Sequence, residues 1–253
     1  MDPMCLIVFA WRPNTPVPLR LAANRDEFYS RASAPLAEWA DAPGLFGGRD
    51  LEAGGTWLGI TRSGRFAALT NIRDTSQPLR SRSRGELTST FLRGDCTPQT
   101  YLQQVMEDAQ QYAGFNLLLG DSRQLWHFNS QEGQPRQLNS GVYGLANASL
   151  DTPWPKLLQA RDALARAIDA EDEQLLEIMA DGRQPSAHLL PNTGLDEETE
   201  RLLSSVFIVS PTYGTRASTL LTLHQDGSWQ IRERSFGRNG VWLGEVQLCS
   251  SPL

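Results

Sequence analysis

Cys5 follows Met4 near the start of the chain. As a first residue, this cysteine would carry its own base. A free α-amine titrates near ~7.7–8.0 and can take the thiol proton directly or through one water, so no histidine is required. The thiolate would then attack a carbonyl carbon, expel an amine and leave a thioester for water to cleave. Such chemistry needs a cation beside the thiolate, donors for the oxyanion and a carboxylate to orient the amine. Arg25 and Asp26 are the residue types for the cation and the carboxylate. The bland alternative is that Cys5 packs as a small apolar residue and that Arg25 and Asp26 form a structural ion pair. The chain as written starts at Met1, and Asp2 is a poor context for methionine removal. A Cys5 still in peptide linkage has no amine to act as base. Hydrolysis is therefore expected only of a form lacking residues 1–4, through a different start or a cut; otherwise the fold serves without hydrolysis.

Other chemistries are poorly served. The cysteines are Cys5, Cys96 and Cys249, an odd number with no CxxC spacing, so neither a disulfide framework nor a zinc site is expected. No GxGxxG, Walker A, HExxH or GxSxG pattern occurs. Asp26-Glu27 and Glu197-Glu198 are adjacent pairs, and strand neighbours face opposite ways, so they make poor metal clamps. The net charge of −6 argues against nucleic acid, which needs a basic surface. Arg80, Arg82 and Arg84 could meet an anion, but read better as a solvated loop. Cys5, His127, His188 and His224 are of haem-ligand type, each weak alone, and no covalent haem signature occurs. The apolar start lacks a basic flank and a small-residue cleavage site, and no apolar run approaches the ~18 residues of a spanning helix. A cytoplasmic protein with reduced thiols is expected.

The elements that must position these residues can be read from periodicity. Cys5 to Trp11 and Leu19 to Asn24 read as two strands around a turn at 12–16, carrying Asn24-Arg25-Asp26-Glu27 to one end of the first strand. Residues 28–50 read as irregular. Strands follow over Thr56 to Thr61 and Phe66 to Asn71, then a loop rich in Arg and Ser and a helix over about Arg84 to Leu92. Thr97-Pro98 caps a helix whose apolar positions run through Leu102, Val105, Ala109 and Tyr112. A hairpin is expected over Phe115 to Gly120 and Gln124 to Asn129, and a short strand over Val142 to Asn147. A helix announced by Asp151-Thr152-Pro153 comes next, with further helices near 172–181 and 196–205. Strands over Val206 to Ser210, Ala217 to His224 and Trp229 to Phe236 close the chain. Hairpins rather than crossovers imply an α+β protein with antiparallel sheets and helices outside. No linker or repeat divides residues 1–253, which read as a single domain. The seven tryptophans suit burial better than an exposed contact surface, and oligomeric state is not readable.

Asn24-Arg25-Asp26-Glu27 after a near-terminal Met4-Cys5 resembles the signature of the NRDE family, also called the Transport and Golgi organisation 2 family. Further segments are similar along nearly the whole chain: Gly54 to Gly59, Thr70-Asn71-Ile72-Arg73, Ser83-Arg84-Gly85, Phe115 to Leu118, Gly144 to Asn147, Leu150 to Lys156 and Tyr213 to Thr219. The resemblance implies an N-terminal-nucleophile hydrolase fold, a four-layer αββα sandwich whose wider group includes cysteine amidases. By that likeness Cys5 would be the nucleophile, Arg25 would support the thiolate and Asp26 would hold the α-amine. Asn71 and Asn147 would sit near the oxyanion, and Arg216 would line the site. Read without the family, Asn147 is equally a helix-capping residue and Arg216 a strand-edge charge. The function implied is amide (C–N) bond hydrolysis with no cofactor. The alternative, since family members are linked to intracellular haem trafficking and to lipid or acyl-coenzyme A homeostasis, is a non-enzymatic protein holding haem or an acyl lipid in the same cleft.

Overall fold

The computed structural model describes residues 4–73, 80 and 82–251. Strand alternation decides its layering. Along β1 (Met4–Trp11) and β2 (Leu19–Phe28), Ile7, Phe9, Trp11, Leu19, Leu21 and Ala23 enter one apolar core, while Leu6, Val8 and Ala22 enter another. The first core is shared with residues of a second sheet, including Leu36, Phe46, Ile60, Phe66 and Leu118. The second lies under helices. Two sheets thus stack face to face with helices outside each.

The second sheet runs in the order β3 (Ser33–Trp39), β4 (Ala42–Asp50), β5 (Leu58–Thr61), β6 (Phe66–Asn71), β7 (Phe115–Gly120), β8 (Leu125–Asn129) and β9 (Arg136–Gln137). The first sheet has the order β10 (Gly141–Leu145), β1, β2, β11 (Tyr213–Leu223), β12 (Trp229–Phe236) and β13 (Trp242–Cys249). All pairings are antiparallel. Helices α1 (Gly85–Arg93) and α2 (Pro98–Asp108) bury Leu87, Phe91, Leu102 and Val105 against the outer face of the second sheet. Helices α3 (Pro155–Arg166) and α4 (Asp172–Met179) bury Leu157, Ala160, Leu175 and Met179 against the outer face of the first. A short α5 (Glu197–Leu203) leads back to β11. The expected αββα sandwich is observed, and no helix among the described residues is long and apolar enough to cross a membrane.

Several local expectations need correction. Residues 28–50 are not irregular but form the β3–β4 hairpin. Their Pro and Gly misled because β3 is an edge strand whose register shifts between Ala34 and Ala37, around Pro35, and edges and bulges tolerate proline. The Val206 to Ser210 segment is not a strand. Its apolar residues instead join small clusters, with Ile208 packed beside Leu203 and Tyr213. The last strand, β13, and the short β9 went unread. β2 runs on to Phe28, so Arg25 and Asp26 lie within a strand. The second expected helix stops at Asp108 and passes into a 3-10 turn over Ala109–Gln111. Trp242 is 53% exposed, against the expectation of burial. Residues 74–79 and 81 of the Arg/Ser loop lie outside the described residues.

Candidate active site

One register row across the first sheet builds the site. Cys5 pairs with Arg25, Arg25 with Ala217, Ala217 with Ser235, and Ser235 with Gly244. Directly paired residues share a face, so these five side-chain positions lie side by side. All five line a cleft of about 650 Å³ between the sheets. Ala217, Ser235 and Gly244 are small, which leaves the row open as a floor leading to Cys5 at its end. Trp57, Ile72, Phe236, Leu243 and Val246 give the cleft apolar lining.

The backbone nitrogen of Cys5 donates to Asn147 Oδ1 at 3.3 Å. Asn147 Nδ2 in turn donates to the Asn71 carbonyl at 2.9 Å, and Arg73 N donates to the Asn147 carbonyl at 2.8 Å. Asn147 therefore staples the end of β6 to the start of β1 and fixes the Cys5 nitrogen. Buried Asn116 steadies the same segment by donating to the Ala148 carbonyl at 2.8 Å. The capping role for Asn147 is not seen: α3 starts at Pro155, preceded by Trp154, with no side-chain cap.

Parity sends Asp26 to the opposite face from Arg25 and Glu27, beneath the helix layer. It pairs with Met4, one residue before Cys5. Its side chain is fully buried, and Thr215 Oγ1 donates to Asp26 Oδ1 at 2.7 Å. Burial pushes its carboxyl up to about 6, opposed by Lys156, the Thr215 hydroxyl and Arg25. The structural Arg25–Asp26 ion pair of the alternative reading is not formed; Arg25 faces Glu27, at 3.7 Å. In peptide linkage the Cys5 thiol is pushed up to about 12, by burial first and then by Asp26, with Arg25 pulling the other way. Arg25 alone therefore does not hold the Cys5 sulfur as a thiolate.

Arg216 occupies a bulge of β11 between Thr215 and Ala217. Its guanidinium donates to the carbonyls of Phe28 and Arg31, each at 2.9 Å, and to Ser33 Oγ at 3.0 Å. It lines the cleft and also ties down the β2–β3 connection. Glu27 and Glu233, both buried and both raised by burial, complete the polar end. Glu233 accepts from Leu36 N at 2.7 Å and from Thr219 Oγ1 at 3.2 Å. Neither Glu233 nor Lys156 was legible as a site residue. The only signal was charge within otherwise apolar patterns.

Cys5, Arg25, Asn71 and Arg216 line the cleft, Asp26 borders it with its carboxylate turned to the helix layer, and Asn147 lies directly behind Cys5. The histidines lie elsewhere. His127 is buried at Asn116, 3.2 Å from its Oδ1, and burial pushes it down to about 3. His188 lies in a 3-10 turn over Ala187–Leu189, and His224 follows β11. None lines the cleft, so Cys5 is the one candidate haem ligand there. Arg80, Arg82 and Arg84 do reach its rim, although Arg82 is paired with Glu86 and Asp108. No group of metal-holding side chains occurs among the described residues.

A family model described as Transport and Golgi organisation 2 matches residues 4–238. The human Transport and Golgi organization protein 2 homolog is 35% identical over 257 residues, covering 92% of this chain and 93% of its own. The mouse homolog is 34% identical at the same coverage. The Drosophila melanogaster protein is 30% identical over 197 residues, 70% of this chain and 69% of its own. Among solved structures, a Caenorhabditis elegans N-acylethanolamine-hydrolyzing acid amidase ortholog aligns with TM-score 0.45 at 10% identity, covering 85% of this chain and 92% of that one. A variant of the conjugated bile acid hydrolase from Clostridium perfringens aligns with TM-score 0.49 at 9% identity, covering 96% and 92%.

Proposed function

The chain belongs to the Transport and Golgi organisation 2 family, and from that premise we propose that it is a cysteine-dependent amide hydrolase of the cytoplasm, with Cys5 as nucleophile. The observation that carries the reading is the paired placement of Cys5 and Arg25 at the end of the cleft floor, with Asn147 on the Cys5 nitrogen. Once Cys5 is the first residue, its amine accepts the thiol proton. The sulfur bonds to the amide carbon, with Arg25 beside the developing thiolate. The C–N bond then breaks and the leaving amine takes the proton back from the α-ammonium. Water, deprotonated by the same amine, releases the acid and restores the thiol. Asn71 and Asn147 stand at the Cys5 end as oxyanion-side residues, Asp26 as the orienting carboxylate, and Arg216 as a brace of the cleft wall. No cofactor takes part.

The test compares the full chain with a form beginning at Cys5, confirmed by intact mass, on a panel of acyl amides. Turnover is expected only from the Cys5 form and is abolished by Cys5→Ala. Turnover that survives Cys5→Ala rejects the reading. A second reading is binding without hydrolysis, of haem or an acyl lipid. It draws on the apolar cleft lining and on Val241, Trp242 and Leu243, exposed next to it. The full chain, which keeps the Cys5 thiol but has no free Cys5 amine, serves here. Saturable one-to-one binding supports this reading; multiple weak surface binding of haem and lipid alike removes it.

A further inference from the structure

Two buried polar atoms of opposite charge lack any hydrogen-bond partner close to the candidate nucleophile: Asp26 Oδ2 and Lys156 Nζ. Both side chains are buried, at 0% and 2% exposed. An unpaired ammonium inside a protein is costly, so its retention calls for a reason.

The local chain is built to hold it there. Asp151, at φ 59°, exchanges hydrogen bonds with Gly144 of β10: Gly144 N donates to Asp151 Oδ1 and Asp151 N to the Gly144 carbonyl, each at 2.8 Å. Pro155 then starts α3, which places Lys156 in its first turn, the end where a helix disfavours a cation. The next residue, Leu157, packs hard on Gly144. β10 is the neighbour of β1, so the first turn of α3 is fixed over the same face of the sheet as Asp26.

The charged and titratable groups around this ammonium come from every element that meets it. Asp26 on β2 and Cys5 on β1 favour it, as does Glu200 on α5; Arg73 after β6 opposes it. Arg73 is itself paired with Glu200 at 3.2 Å. Burial outweighs these and draws Lys156 down to about 8. Around Asp26 stand Lys156, Thr215 and Arg25.

We propose that Lys156 is a positioning residue for the Cys5 nucleophile, cancelling the charge of Asp26 so that this carboxylate can orient a free Cys5 amine without locking it as ammonium. This rests on the amide-hydrolase reading above. A lone buried carboxylate would hold its proton or raise the affinity of the neighbouring amine for one, and either way the base would be lost. With the Lys156 ammonium in the same buried space, Asp26 keeps its acceptor oxygen while its charge next to the amine is offset.

Iodoacetamide alkylation of Cys5 tests this without knowledge of the substrate. Rates are followed from pH 5 to 10 by peptide mapping, which separates Cys5 from Cys96 and Cys249, in the full chain and in the form beginning at Cys5. In the Cys5 form, Lys156→Met is expected to move the midpoint of the pH profile up by about one unit or more, and Lys156→Arg to restore it. Asp26→Asn moves it down, and Lys156→Gln, which keeps the test decisive if Lys156→Met does not fold, moves it up as Lys156→Met does. An unmoved midpoint in Lys156→Met or Lys156→Gln, or shifts of the same sign in the Lys156 and Asp26 variants, overturns the role of Lys156 alone. If freed Cys5 reacts no faster than peptide-linked Cys5 at neutral pH, the hydrolase reading fails and takes this role with it.

Discussion

Asp26 is enclosed between β2 and the helix layer, with Thr215 on one oxygen and no partner on the other. Its folded-state value of about 6 lies above the ordinary 3.8, so the folded protein binds this proton more tightly than the unfolded chain. The stability contributed by protonated Asp26 is present below the unfolded value and is lost as pH rises through about 6. The loss amounts to about 3 kcal/mol at most, taking 1.36 kcal/mol per unit. Asp26→Asn should therefore gain stability relative to the natural protein between pH 4 and 7. In the variant Lys156 also loses the attraction of the Asp26 charge and sheds its proton at lower pH, which adds to the difference with the same sign. Urea unfolding of both proteins at the two pH values measures it; a pH-independent difference would remove the charge from Asp26 at neutral pH. At this scale the sequence showed residue types but not directions. Cys5, Arg25 and Asp26 were legible because a cysteine near a terminus has few uses and the motif is compact. That Arg25 faces the thiol and Asp26 the helices follows from strand parity, yet only once Asp26 is known to lie inside a strand. Lys156 was hidden because a lysine in the first turn of an amphipathic helix looks like any solvated one.

Among elements, α3 and β10 meet with no slack. A Cβ placed on Gly144 would lie 2.5 Å from Leu157 Cδ2 and 2.6 Å from its Cγ, and Leu157 is fully buried. Gly144→Ala must push the start of α3 away from the sheet. A cost of about 1–3 kcal/mol is expected from such overpacking, seen as a lower midpoint in thermal or urea unfolding. Because Lys156 precedes Leu157, the same variant should slow alkylation of freed Cys5. An unchanged unfolding midpoint would mean that Leu157 has room to turn aside. The Gly54-Gly55-Thr56 and Ser83-Arg84-Gly85 segments carry a parallel case. A Cβ on Gly55 would fall 2.4 Å from the Gly85 carbonyl carbon, so these two motifs exist to bring the start of α1 against the approach to β5. Short apolar runs bounded by turn residues made most strands readable from the sequence, including β6, β7 and β12 at their observed limits. The β3–β4 hairpin was not readable, because an edge strand with a bulge at Pro35 keeps few of the features that mark a strand.

At the scale of the molecule, the two sheets share an apolar core at one end and part at the other, where Glu27, Glu233 and the arginines replace leucine and phenylalanine. The cleft exists because the row from Arg25 to Gly244 passes through Ala217 and Ser235, residues too small to fill it. Hydrolysis and simple binding both need that floor, so its obstruction tests the cleft independently of the chemistry. Ala217→Leu adds three carbon atoms at a position whose side chain borders the opening and whose strand neighbours, Arg25 and Ser235, are not part of the closed core. Folding should be little affected, since the added atoms enter space already open. Occupancy of the cleft should suffer: a long acyl amide or acyl lipid is expected to lose about tenfold in kcat/KM or affinity, equivalent to about 1.4 kcal/mol. Iodoacetamide, being small, should still reach Cys5 at close to the natural rate. Equal losses for small and long ligands would point to a displaced nucleophile rather than a narrowed floor. No loss for either would place the ligand outside the space between the sheets.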